Sequence, residues 1–267
     1  MTGTSEADIS FRHYVWARIT QEHPEFTHDS DPFDDPYVID NLVLSDYIGF
    51  KPFKGARVMD IGANAGIWSS YCALNGAVVT AYEADPITYK VMRDSFENAG
   101  LTVNAVNAAI WTRTGKCAFR GVENTSRGIC RNGAVQVTGA GKYGDGDVTT
   151  PGRFRGNVDR VTPEMTVIPS VSFADALGDT EWDCIKFDIE GAEFEVLLTT
   201  PPELLEQICY MQVELHNGWA DQLIYDRLIG RLVSIFEIKG CTDTNPASES
   251  FGRFHWVQLT NKSKGKP

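Results

Sequence analysis

The chain has 267 residues, 42% hydrophobic, 22% charged and 11% aromatic. That balance gives an ordinary globular protein with enough chain for a full core, and it excludes a disordered, fibrous or disulfide-stapled one. The formal net charge of −12 argues against gripping nucleic acid with the whole surface, so nucleic acid is not an expected partner.

In chain order, an amphipathic stretch from Phe11 to Ile19 and a Pro/Asp-rich passage predict an N-terminal helix and lead-in over residues 1–50. From Ala56 short apolar runs alternate with helical segments. ARVMDIG, a helix to about Asn75, AVVTAYE, a helix from Pro86 to about Ala99, and LTVNAVNAAI come in turn. This rhythm predicts an α/β fold with a parallel sheet covered on both faces. Residues 112–164, rich in Gly, Arg and Thr, interrupt it and read as an insertion of hairpins and loop. It resumes with TVIPSVS, a short helix (FADALGD), DCIKFDIEG, a helix from Ala192, ICYMQVELH, a helix from Ala220 to about Leu232, and SIFEIKG. GRFHWVQLT follows too closely for a crossover helix and is expected to pair antiparallel. The main domain is thus expected over 51–261, with a frayed tail over 262–267.

No run approaches the roughly 18 apolar residues of a membrane span, and MTGTSEADIS lacks the features of a signal peptide, so a cytoplasmic location is expected. The six cysteines are scattered without a Cys-x-x-Cys pair, which predicts reduced thiols rather than a disulfide or zinc framework.

Asp60-Ile61-Gly62-Ala63-Asn64-Ala65-Gly66 joins a predicted strand to a predicted helix, where small residues let backbone approach a ligand. Asn64 and Ile67 stand where a dinucleotide fingerprint needs glycine, and no Gly-Lys-Ser/Thr ending of a phosphate loop follows. A different nucleoside ligand is expected. The next strand ends at Glu83, whose carboxylate can accept hydrogen bonds from vicinal ribose hydroxyls.

The segment VMDIGANAGIWSSYCALNGAVVTAYEADP (Val58 to Pro86), CIKFDIEGAEFEVL (Cys184 to Leu197) and MQVELH (Met211 to His216) resemble the FkbM family of S-adenosylmethionine-dependent methyltransferases. The resemblance extends over about Asp35 to Leu259, loosely in the insertion. It implies the Rossmann-like class I methyltransferase fold: a seven-stranded, mostly parallel sheet, its last strand antiparallel, with helices on both faces. It also implies that Asp60, Gly62, Asn64 and Gly66 surround the methionine part of S-adenosyl-L-methionine, that Glu83 holds the ribose, and that Asn107 and Ala108 lie near the adenine.

In CIKFDIEGAE, Lys186, Asp188 and Glu190 alternate with apolar residues, so an unbroken strand would put them on one face, near the carboxyl end where α/β proteins place their sites. Glu193 suits the first turn of the next helix. Glu214 and His216 repeat the alternation one strand on. Methyl transfer to a hydroxyl needs alignment and a base. His216 is the natural candidate by its ordinary pKa, with Asp188 orienting it or acting itself and Glu214 beside them. Asp188, Glu190, Glu214 and His216 also suit magnesium or manganese.

Between Arg113 and Arg160 nine basic residues stand against four acidic ones. Arg127, Arg131, Arg153 and Arg155 would suit a phosphate or carboxylate on an acceptor, with Glu190 and Trp219 at the mouth. The acceptor class expected is a small molecule or carbohydrate: a sugar, glycan or natural-product hydroxyl. Two rival readings are an N-methyltransferase or nucleic-acid ribose methyltransferase, and a non-catalytic nucleoside-binding module.

Overall fold

A computed structural model describes residues 49–122, 132–135, 166–216, 222–242 and 254–265. The expected N-terminal helix and most of the expected insertion lie outside them. The strands and helices in order are β1 (Arg57–Ile61), α1 (Ile67–Leu74), β2 (Val78–Glu83), α2 (Pro86–Asn98), β3 (Val103–Asn107), β4 (Ala109–Trp111), β5 (Gly115–Val122), β6 (Asn132–Val135), β7 (Thr166–Ser172), α3 (Phe173–Leu177), β8 (Trp182–Phe187), α4 (Glu193–Thr199), α5 (Pro202–Leu205), β9 (Ile208–Glu214), α6 (Gln222–Ile235), β10 (Phe236–Thr242) and β11 (Phe254–Asn261).

The main sheet has seven strands in the order β10-β11-β9-β8-β1-β2-β3. The pairs from β9 to β3 are all parallel, and β11 runs antiparallel between β9 and β10. This is the Rossmann-like class I methyltransferase architecture. Alternation along each strand splits the core in two. Val58, Val79, Cys184 and Tyr210 share one face with Trp68 and Cys72 of α1, while Ala81 meets Met92 and Phe96 of α2. On the other face Met59, Ile61, Ile185, Phe187, Met211 and Val213 pack with Phe194 and Leu197 of α4 and Leu228 and Leu232 of α6. α2 begins where it does because Asp85 caps it, its Oδ1 accepting from the N–H groups of Ile87 and Thr88 at 2.8 and 3.1 Å, with Pro86 at the first helical position.

Four local expectations differ. LTVNAVNAAI is two strands, because the chain leaves the main sheet at the buried Ala108 and β4 joins a second sheet of order β4-β7-β5-β6. TVIPSVS, which reads as a main-sheet strand, is β7 of that second sheet, parallel to β4 and antiparallel to β5. Its apolar residues close over the same core as Phe187 rather than adding an eighth main strand; Trp111, Cys117, Phe119 and Ile168 all lie in that core. α6 continues to Ile235, with β10 starting at the next residue, because Leu228, Leu232 and Ile235 carry its buried stripe further than its polar punctuation suggests. Residues 262–265, where a frayed tail was expected to begin, are held in place. Asn261 is buried and donates to the carbonyls of Glu206 and Ile208, and Lys264 Nζ lies 2.7 Å from Glu181. Among the described residues no helix is long and apolar enough to cross a membrane.

Candidate active site

The carboxyl ends of β1, β2, β3, β8 and β9 carry two sets of polar residues. In the first, Asp60 is fully buried at the end of β1. Its Oδ2 accepts from Ser69 of α1 at 2.6 Å, and its Oδ1 lies 3.6 Å from Lys186 Nζ. Burial raises the Asp60 pKa, and the Lys186 ammonium and the Ser69 hydroxyl oppose that rise. Asn64 takes a left-handed backbone, φ 52°, and its N–H donates to Glu83 Oε2, 2.9 Å away. Glu83 Oε1 accepts from Asp85 N–H at 2.8 Å. Burial pushes the Glu83 carboxyl up to about 7 against these two donors. The Asn107 amide donates to the carbonyls of Glu83 and Ala84 at 2.9 and 3.3 Å, tying the ends of β2 and β3 together. Ala108 is buried beside it.

The glycines of this loop are also required by packing within the protein. A Cβ on Gly62 would stand 1.6 Å from the carbonyl oxygen of Asp188, and one on Gly66 would stand 2.6 Å from the Phe96 ring. Both also have positive φ, 73° and 81°. The space their missing side chains leave is filled by the protein itself, so they set how closely the loop approaches β8 and α2.

The second set follows β8 and β9. β8 stops at Phe187, so Asp188 and Glu190 do not continue the strand face of Lys186 as the alternation suggested. Asp188 N–H donates to Ile61 O at 3.0 Å, the chain turns, and Glu190 takes φ 58°. Glu193, the first residue of α4, is fully buried; its Oε1 accepts from the N–H groups of Ile189 and Gly191, each at 3.1 Å, and lies 2.9 Å from His216 Nδ1. Glu193 therefore holds both the 188–191 turn and the imidazole. His216 Nε2 lies 3.4 Å from Glu190 and 3.6 Å from Glu214. Burial pulls the His216 pKa down, but the bond to Glu193 and the charges of Glu193, Asp188 and Glu190 outweigh it and lift the pKa to about 9. Glu193 Oε2 is buried without a hydrogen-bond partner among the described residues. Asp188, Glu193 and His216 offer ligand atoms within 4.8 Å of one another. That grouping puts Glu193 in the place the sequence reading gave to Glu190 and Glu214.

The two sets touch through backbone, at Gly62 and Asp188, next to the loop-helix junction that carries the Asp-x-Gly-x-Asn pattern. A model of the methyltransferase FkbM domain matches residues 60–240, from that loop through β10. The chain belongs to the FkbM methyltransferase family. As an FkbM protein it is an S-adenosylmethionine-dependent methyltransferase. Among curated proteins none matches it.

Several solved structures are similar at low identity and low TM-score. M. capricolum TrmK, solved with S-adenosylhomocysteine, is 11% identical over 84% of this chain and 71% of its own, with a TM-score of 0.40. A predicted O-methyltransferase from Agrobacterium tumefaciens is 15% identical over 86% and 81%, with a TM-score of 0.39. An rRNA methylase from Streptococcus thermophilus is 8% identical over 81% and 92%, with a TM-score of 0.41. Likeness at that level carries no acceptor across to the FkbM protein.

Of the sequence-derived site residues, the structure brings together Asp188, Glu190, Glu214 and His216 in one cluster, and Asp60, Gly62, Asn64, Gly66, Glu83, Asn107 and Ala108 around the adjoining strand ends. Arg127, Arg131, Arg153, Arg155 and Trp219 lie outside the described residues. Sequence reasoning named Lys186 and Glu193 but gave neither a place among the site residues. Glu193 had a signal: Val196 and Leu197 stand three and four positions on and are fully buried, so an acid at 193 falls on the apolar side of α4, where only a partner makes burial tolerable.

Proposed function

We propose that this FkbM protein is an O-methyltransferase acting on a hydroxyl of a sugar, glycan or small natural product. The observation that carries the reading is the imidazole ringed by carboxylates, Asp188, Glu190, Glu193 and Glu214, beside the glycine loop. The residues around that loop suit S-adenosyl-L-methionine. Each Glu83 oxygen takes one backbone N–H and keeps a lone pair for a ribose hydroxyl, and α1 begins at Gly66 without a side-chain cap, leaving first-turn N–H groups for a carboxylate. When bound, the cofactor supplies an electrophilic methyl on a sulfonium.

Asp60 supports the loop from beneath rather than lining it, and Gly62, Asn64 and Gly66 fix its course. Asn107 and Ala108 border the Glu83 turn on the adenine side. On the acceptor side, Glu193 accepts the Nδ1 proton of His216, which leaves Nε2 for the acceptor hydroxyl. As the O–C bond forms and the S–C bond breaks, His216 would take the acceptor hydroxyl proton at Nε2 in its neutral form, the minor one at neutral pH because its pKa is raised. Asp188 and Glu214 stabilise the resulting imidazolium, and turnover should rise as pH approaches 9. Glu190, on the rim, and Arg127, Arg131 and Trp219 would contact the acceptor.

The test begins with calorimetric binding of S-adenosylhomocysteine to wild type and to Glu83→Gln, followed by a hydroxyl-acceptor panel. Methylation of sugar or natural-product hydroxyls, lost in His216→Ala and Asp188→Ala, supports the reading. Transfer only to amines or RNA, or cofactor binding with no transfer, rejects it.

A second reading, a divalent cation at Asp188, Glu193 and His216, is favoured by the orphaned Glu193 Oε2, because a buried carboxylate oxygen without a donor is costly and a cation would satisfy it. Manganese titrated into the purified protein and followed by its paramagnetic resonance should bind in wild type and fail in Glu193→Gln if this reading holds.

A further inference from the structure

The Lys186 side chain is 4% exposed, and its ammonium sits where the two polar sets meet. Nζ donates to Gly62 O at 3.1 Å and lies 3.6 Å from Asp60 Oδ1 and 3.4 Å from Asp188 Oδ2. Its ammonium therefore lies between the root of the cofactor loop, the first carbonyl of that loop, and the carboxylate that opens the acceptor side. The backbone repeats the connection: Asp188 N–H donates to Ile61 O at 3.0 Å, and Gly62 has no room for a Cβ against Asp188 O.

We propose that Lys186 is a positioning residue that locks the cofactor loop and Asp188 into one frame, so that the placement of the methyl donor and the placement of the acceptor-side carboxylate depend on each other. A merely structural lysine would neutralise Asp60 and do nothing more. A positioning lysine also holds the Gly62 carbonyl and the Asp188 carboxylate, and neither role is replaced when Asp60 loses its charge. The inference rests on the cofactor site proposed above.

The experiment uses the full-length protein and S-adenosylhomocysteine as probe. Lys186→Met alone leaves Asp60 buried without its cation and is expected to fold poorly, so it is paired with Asp60→Asn and compared with Asp60→Asn alone. The double variant should melt within a few degrees of Asp60→Asn yet bind the probe at least tenfold more weakly. Asp188→Asn should weaken probe binding severalfold when Lys186 is present and leave it unchanged in the double variant. In unmodified protein, the nitrogen-15 signal of the Lys186 ammonium should be protected from exchange and should shift when the probe is added.

Equal affinity in the double variant and in Asp60→Asn, or an ammonium signal insensitive to the probe, would overturn the proposal and leave the cofactor site standing. Failure of wild type to bind the probe would overturn the cofactor site and this inference with it.

Discussion

The loop after β1 and the turn after β8 lie against each other at equivalent strand ends, yet they handle polar groups in opposite ways. In the first, Asp60, Glu83 and Asn107 are tied to Ser69, Asn64, Asp85 and the carbonyls of the β2 turn, so its shape is set before any ligand arrives. In the second, four carboxylates crowd one imidazole that is 22% exposed, and its charge depends on pH. A preorganised pocket suits a constant cofactor. A partly open, ionisable cluster suits the proton transfer that accompanies the chemistry.

The sharpest way to break this contrast is Gly62→Ala. Its methyl would meet the Asp188 carbonyl, a backbone atom with little freedom to move, at a residue that already has positive φ. A loss of about 4 kcal/mol or outright misfolding is expected, measurable by urea denaturation. Near-normal stability would mean that the two turns are not in contact.

Glu83→Gln should keep the fold but weaken S-adenosylhomocysteine binding by about 2 kcal/mol, some thirtyfold, as hydrogen bonds to a charged acceptor become bonds to a neutral one. Because the Glu83 carboxyl is lifted to about 7, wild-type affinity should fall as pH drops through that value, while the variant's stays flat. An affinity independent of pH from 6 to 8 would show that the ligand does not use the ionised form.

The acceptor side should respond in the other direction. The His216 pKa is raised from 6.5 to about 9 in the folded state, so its stabilising contribution is complete below 6.5 and lost as pH rises through 9. Up to about 3 kcal/mol is at stake, with 1–2 kcal/mol expected. His216→Gln should therefore destabilise more at pH 6 than at pH 9.5, and equal losses at both would remove the charged imidazole. The smallest effect is local: Asp85→Ala removes the cap of α2 and should cost about 1 kcal/mol in thermal or urea unfolding.

Much of this was legible in the chain. Strand-helix alternation, the Asp60 loop with Glu83 a strand later, and the antiparallel β11 follow from periodicity and spacing, which act locally. The misreadings share one cause. TVIPSVS looks like any apolar strand, and its alternation cannot say which sheet it joins. The alternation of Lys186, Asp188 and Glu190 likewise could not show that β8 ends at Phe187 and that the next residues turn under the grip of Glu193. Gly62 and Gly66 were legible as required glycines, but the partner that requires each one was not.

By itself the sequence determined the family, the order of elements and the neighbourhood of the site, because hydrophobic periodicity and short motifs are properties of nearby residues. Only the tertiary structure decided that Lys186 joins the two turns, that Glu193 holds His216, and that the carboxylates around the imidazole raise its pKa. Those outcomes depend on distances between groups far apart in the chain, and on how far burial strips water from each of them.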